Sequence, residues 1–342
     1  MVLAFILHYY AHSTPVSSKD ELIRIPRSLA IPLAEISKEL GFAPVLTFTD
    51  VVLWNWEFIN PDLPLTIDNM RYINLLSGHE TEVNFYKASA EVELKGAEML
   101  QVIEAFGNLS DPMDQNSQTK IQRDLVQLKT TVEELTEIFR TMSSKVDPHT
   151  FYWIVRPWWV GAENTSRGRP NWVFEGVPNY ESFDLAGPSA GQSAVMHALD
   201  IFLDVDHKLI HHRTPAPTEA NKNADRGFME RMRRYMPASH RDYLNRIGSV
   251  PRTVRQVADV SPSLRQPYND VVTTLKRLRD VHMRMATLYI ISQRRTVPPA
   301  CAGIVVEEPS AAAPSTGTGG NEVASLLKAG RDATARTVLP DI

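Results

Sequence analysis

The chain predicts an all-α protein, and three observations carry that expectation. Apolar residues recur at spacings of three and four through most of the sequence, the period of one helix face. No alternation of strand and helix patterns runs along the chain, and no internal repeat is present. With 342 residues and 43% apolar content, a sizeable core can be buried.

The elements follow in order. Met1 to Leu7 is apolar, lacks a preceding basic residue and ends at His8, too short to span a bilayer and unlike a signal peptide. It reads as the inside of an element rather than the free end of a domain. Pro26 to Gly41 is an amphipathic helix with Leu29, Ile31, Leu33, Ile36 and Leu40 on its apolar face and Gly41 as its C-cap. Asp50 to Phe58 is aromatic and apolar, and Asn60-Pro61-Asp62 is a turn. Phe85 to Phe106 and Lys120 to Val146 are long helices joined by a loop at Asn108 to Ser117. Pro157 to Pro188, rich in Trp, Gly, Pro and Asn, is a long irregular connection of the kind that often carries function. Helix resumes from Ala190 to about His212, and again from Gly227 to Ile247 with a break at Pro237. Ser261 to Ser292 holds the longest periodic stretch. Residues 297–320 have a Pro/Ala/Ser/Gly linker composition. Asn321 is placed to cap a last short helix carrying Val323, Leu326 and Leu327, within the tail 321–342.

Composition narrows the function. Lys and Arg total 36 against 40 Asp and Glu, for a net charge of −4, which argues against a nucleic-acid binder. A single cysteine, Cys301, rules out a disulfide framework and a Cys-based zinc site. No later segment reaches eighteen uninterrupted apolar residues. A soluble, cytoplasmic protein without membrane partners is expected.

Four places hold candidate chemistry. Gly187-Pro188-Ser189-Ala190-Gly191 matches the G-x-S-x-G nucleophile elbow, but Glu181 to Ala186 is a weak strand for that motif. A small-residue loop capping the next helix, or one approaching a flat ligand, fits the same residues. His207 and His211 stand at i and i+4 and have the spacing of zinc ligands. Without the H-E-x-x-H glutamate they read better as a solvated helix end, with no effect on any cofactor. His282 is the centre of a stripe, Val271, Leu275, Leu278, His282, Met285 and Tyr289. It is either a core histidine with satisfied nitrogens or a metal or haem ligand. Arg156, within Phe151 to Trp159, either stacks on rings or grips an anion in an apolar pocket.

These segments occur together in a known order. Ile31-Pro32-Leu33 with Pro44 to Thr47 and Asn55-Trp56 comes first, then Ser189 to Ser193. Met232 to Pro237 with His240-Arg241 follows, then Leu278-Arg279-Asp280-Val281-His282, and finally Gly317 to Gly320. From about Ile25 to Leu327 the chain resembles the indoleamine 2,3-dioxygenase family, and its Gly-Pro-Ser variant looks most like fungal members. The resemblance implies an all-α, helical haem-binding large domain over 25–296, with 1–24 a remnant of a smaller preceding domain that is mostly absent. It implies haem b as cofactor, and L-tryptophan and O₂ as substrates, giving N-formylkynurenine. It makes the protein a monomer.

By the same resemblance His282 is the proximal iron ligand, steadied by an Asp200–Arg279 ion pair. Phe85 and Ser89 are the distal aromatic and hydroxyl, and Phe151 packs on the indole. Arg156 grips the substrate carboxylate, and Ser189 and Ala190 form the loop beside the haem. Thr318 closes over the substrate amino group as part of a mobile lid, Pro309 to Gly320. Phe48 stands where many animal members have tyrosine, and Pro188 replaces a glycine. Haem and O₂ binding without dioxygenase turnover, and a serine hydrolase, are the alternatives.

Overall fold

The computed structural model describes residues 1–15, 22–162, 172–217, 227–300 and 315–340. Helices dominate, as expected. The chain opens with α1 (Val2–Ser13), then the short strand β1 (Ile23–Ile25) and α2 (Arg27–Leu40). A hairpin follows, β2 (Trp56–Phe58) antiparallel to β3 (Met70–Tyr72). Two long helices come next, α3 (Glu80–Gly107) and α4 (Gln115–Thr141), then a single turn α5 (Pro148–Thr150). Strand β4 (Trp172–Phe174) lies in the segment expected to be irregular and pairs in parallel with β1, Ile23 opposite Trp172. The remaining helices are α6 (Ala194–Phe202), α7 (Phe228–Arg233), α8 (Ala238–Gly248), α9 (Val254–Val260), α10 (Pro262–Ala286) and α11 (Val323–Ala335). No helix among the described residues is long and apolar enough to cross a membrane.

Local chemistry sets most boundaries. Asp114 starts α4 by accepting the Asn116 and Ser117 N–H groups, which brings the helix start inside the expected Asn108–Ser117 loop. Thr253 and Gln256 form a reciprocal capping box on α9. Gly41 ends α2 at φ 72°, a left-handed conformation suited to glycine. On that helix Leu29 and Leu33 are buried, but Ile36 and Leu40 are exposed, so the apolar face is narrower than its spacing predicts. Glu322, not Asn321, caps α11, its carboxylate accepting from Ala324 and Ser325.

The largest departure is α6, expected to run to about His212 and ending at Phe202. Val205 N–H returns to the Asp200 carbonyl at 2.9 Å and Asp204 N–H to that of Ile201 at 3.1 Å. This is a Schellman closure with Asp204 at φ 57° where glycine is usual. Aspartate tolerates that region better than most residues, and Arg213 clamps it, donating to its carbonyl at 2.5 Å and its carboxylate at 2.8 Å. Apolar periodicity does not register such a stop, because Leu203 and Val205 continue the pattern beyond it.

Two apolar clusters form the core. One gathers α1, α2, the strands and the Phe151–Trp159 region; the other joins α3, α4, α6, α8, α9 and α10. Helix α10 packs along α4 and α11, with Leu264, Tyr268, Val271, Val272 and Leu275 fully buried. Truncating one such leucine to alanine costs about 2–5 kcal/mol. A cavity opens at the seam between the clusters, lined by Phe48, Phe151 and Tyr289 of the first and Met196 and Leu278 of the second.

Candidate active site

The cavity, about 340 Å³, is walled largely by apolar side chains. Three π-helical turns border it: Thr49–Leu53, Phe151–Val155 and Thr287–Ile291. Each supplies lining residues, namely Val51 and Val52, Phe151, and Tyr289 and Ile290. A π turn adds one residue to a helical repeat and re-aims the side chains that follow, a feature common at functional sites.

One wall is made by α10. His282 lines the cavity from the middle of the periodic stripe, with the Phe139 ring 5.6 Å away. Burial pushes its pKa down to about 4, and neighbouring Arg279 acts in the same direction, so the ring is neutral. Neither ring nitrogen has a hydrogen-bond partner among the described residues. No side chain or backbone group among the described residues satisfies these nitrogens, so they are available to a group held in the cavity.

One turn before it, Arg279 donates through Nη2 to both Asp200 carboxylate oxygens at 2.5 and 2.6 Å. Its Nη1 reaches the Gly330 carbonyl at 3.0 Å and the Thr334 hydroxyl. Arg279 thus ties α10 to both α6 and α11. Burial raises the Asp200 pKa, but the charges of Arg279 and His207, with their hydrogen bonds, outweigh it and hold the carboxyl well below its ordinary range.

A second stretch of the lining is aromatic. Phe85 stacks on Phe151 with centroids 4.7 Å apart and lies 5.0 Å from Trp159. Phe151 meets Tyr289 edge-on at 5.5 Å. Ser89, one helical turn beyond Phe85 on α3, also faces the cavity. Arg156 is 4% exposed, sits 5.5 Å over the Tyr152 ring and lines the same space. Of the two roles left open for it, the structure shows the stacking on a ring, and it places the residue on the cavity where the other would act. Arg156 also donates to the Thr316 carbonyl at 2.5 Å.

The third border is the loop Leu185 to Gly191. At Gly187 an added Cβ would stand 1.7 Å from the Trp159 carbonyl oxygen, so only glycine lets this loop lie against the aromatic wall. Ser189, Ala190 and Gly191 line the cavity. Ser189 Oγ accepts the Gly191 N–H at 3.2 Å, capping a short turn, and no β-strand precedes it. The elbow motif therefore lacks its strand and sheet. The tail seats on this loop: the Thr318 hydroxyl donates to the Pro188 carbonyl, and the Thr318 carbonyl accepts from Gly187 at 3.1 Å. Of the expected lid, residues 309–314 lie outside the described residues, as does Cys301.

All ten residues singled out for the site border this one cavity: Phe85, Ser89, Phe151, Arg156, Ser189, Ala190, Asp200, Arg279, His282 and Thr318. Sequence reasoning misplaced His207. It is not a solvated helix end, because α6 has already stopped; its side chain is 15% exposed, bonded to Asp200 at 2.8 Å, and lines the cavity. His211 and His212 are exposed, and no group of three metal-ligating side chains occurs among the described residues. Phe139 and Phe228 also line the site without any distinguishing sequence signal.

The model of the indoleamine 2,3-dioxygenase family matches residues 1–337. Indoleamine 2,3-dioxygenase 1 of Rattus norvegicus is 30% identical over 94% of this chain and 75% of its own length. Indoleamine 2,3-dioxygenase 2 of Homo sapiens is 31% identical over 99% and 78%, and the Saccharomyces cerevisiae indoleamine 2,3-dioxygenase 30% over 98% and 77%. With the predicted site residues gathered on one cavity and the match running through nearly the whole chain, this protein belongs to the indoleamine 2,3-dioxygenase family.

Proposed function

We infer that the chain is a haem-dependent dioxygenase that opens the indole ring of L-tryptophan with O₂ to give N-formylkynurenine, acting as a cytoplasmic monomer. One observation carries this reading. A neutral imidazole with no hydrogen-bond partner among the described residues, His282, lines an apolar cavity that is also lined by stacked rings and a buried guanidinium. The donor set suits haem b: a neutral imidazole for the iron and wide apolar walls for the ring system. Bound haem supplies the iron at which O₂ is activated.

The chain's own residues bind, orient and shield. Phe85 and Phe151 hold the flat indole by stacking and exclude water from it. Arg156 pairs with the substrate carboxylate, in a setting where a guanidinium fork is far stronger than in water. Thr318, held on the Pro188 carbonyl, brings a hydroxyl to the mouth beside Ser189 and Ala190, where the substrate amino group enters. Asp200 and Arg279 fix the helix that carries His282. The aromatic wall offers no carboxylate or imidazole among the described residues, so no side-chain general base is assigned. Phe48, which lines the cavity, brings no hydroxyl to it.

Haem and O₂ carriage without turnover is a second reading, favoured by the bond from Arg156 to the Thr316 carbonyl, which engages the carboxylate-gripping group. Purified protein with haem and reductant decides between them: kynurenine formation from tryptophan supports the dioxygenase, and a haem spectrum without product supports carriage.

A further inference from the structure

His207 occupies a position that α6 reaches only by ending early. The Schellman turn at Asp204 folds the chain back, so that His207 returns beside Asp200 on the helix it has just left. Its Nε2 lies 2.8 Å from Asp200 Oδ2. Asp200 is ionised and only accepts, so that nitrogen carries the proton and donates. The same Oδ2 accepts from Arg279 Nη2 at 2.6 Å, while Oδ1 accepts at 2.5 Å. Asp200 therefore joins two cations or donors from different segments, and both line the cavity holding His282.

We propose that His207 is a positioning residue for the cofactor: by fixing the Asp200 carboxylate it orients Arg279, and through it the turn of α10 that presents His282. Arg279 spans α6, α10 and α11, with both carboxylate oxygens engaged on one side and Gly330 and Thr334 on the other. A carboxylate held by the guanidinium alone can rotate about its Cβ–Cγ bond, and the imidazole removes that freedom. The Nδ1 of His207 makes no hydrogen bond among the described residues, and the ring borders the cavity, so the side chain also closes its edge. His207 acts through Asp200 and Arg279, and no contact with the reacting atoms is assigned to it.

The inference rests on the haem reading above, and the test separates the two. Haem-loaded wild type, His207→Ala, His207→Gln, His207→Asn and His211→Ala are compared by the rate of haem transfer to excess apomyoglobin. The iron–imidazole stretching frequency of the ferrous protein is measured alongside. Partners that orient a metal ligand typically change affinity by about 10–100-fold, so His207→Ala should lose haem at least about tenfold faster, with a shifted stretch. Gln, long enough to donate to Asp200, should restore most of both signals; Asn should not; His211→Ala should match wild type. The combined Asp200→Asn, His207→Ala variant should be little worse than Asp200→Asn alone. Wild-type haem loss and stretch in His207→Ala overturn the proposal. Where His207→Ala does not fold, equal behaviour of the Gln and Asn variants overturns it. A wild type that takes up no haem, or a His282→Ala variant that keeps it, overturns the functional reading and this inference together.

Discussion

The two walls of the cavity solve different problems with different chemistry. The α10 wall is a regular helix tied to its neighbours by one ion pair, Arg279 to Asp200, and by hydrogen bonds from His207 to Asp200 and from Arg279 to Gly330 and Thr334. The aromatic wall joins the start of α3 to the short, irregular turns of Phe151–Trp159, and ring packing among Phe85, Phe151 and Trp159 connects them. On the proposed reading the α10 wall holds the cofactor, which needs fixed direction, and ion pairs and hydrogen bonds supply it. On the same reading the aromatic wall receives a flat substrate, which needs shape and low polarity, and rings supply both. The prolyl loop and the tail, joined through Thr318 and Pro188, border the space between.

That division can be broken by experiment. The largest effect is expected for His282→Ala. The variant should purify without a Soret band, and its melting temperature should no longer rise on adding haem, because ligand linkage is lost. A normal haem spectrum there would remove the anchoring role from this wall. Next, Arg156→Ala should lower kcat/KM for tryptophan by about 10²-fold or more while haem content stays at the wild-type level, since truncating one member of a buried pair costs about 3–5 kcal/mol. Haem loss in this variant, or equal turnover of tryptophan and tryptamine by the wild type, would show that the two walls are not functionally separate.

Acid stability sharpens the contrast between buried groups. Burial lowers the His8 pKa from 6.5 to about 4, against a partly offsetting bond to the Trp158 carbonyl. Burial likewise lowers His197 to about 4, opposed by its bond to the Gly191 carbonyl. Between those values the unfolded chain binds more protons than the folded one, so their contribution is full above pH 6.5 and falls toward pH 4. Each group accounts for a loss on the order of 3 kcal/mol. Glu93 has the opposite sign. Burial raises it from 4.5 to about 7, although the Ser193 hydroxyl donates to it, so its contribution is full below pH 4.5 and lost as pH rises through 7. Chemical denaturation of the apo-protein from pH 4 to 8 should show the acid loss, and Glu93→Gln should flatten only the neutral limb. A Glu93→Gln curve superimposable on wild type would contradict the assignment. The smallest effect belongs to Ser189→Ala. It removes a cap on a short turn, about 1 kcal/mol, and should leave turnover measurable and the wild type unlabelled by organophosphates. Covalent labelling of Ser189 would revive the hydrolase.

The sequence by itself determined the helical class, the Gly41 cap and the face of α10 on which His282 sits, because those follow from spacing and local backbone preference. The ordered motifs determined the family. Spacing did not decide between a satisfied histidine and a ligand, since it reports which face a residue occupies and not what meets it there. The tertiary structure adds what spacing cannot: His282 lines the cavity and neither of its nitrogens has a hydrogen-bond partner among the described residues, which supports the ligand reading. The early end of α6 was also settled outside the local pattern. Asp204 accepts a left-handed backbone there with Arg213, nine residues on, as its clamp. That one turn converts His207 from an expected surface residue into a half-buried hydrogen-bond partner of the Asp200–Arg279 ion pair. The three π turns and the bond from Arg156 to Thr316 belong to the same class. An extra residue in a helical turn is held by the packing around it, and a contact spanning 160 residues has no local signature.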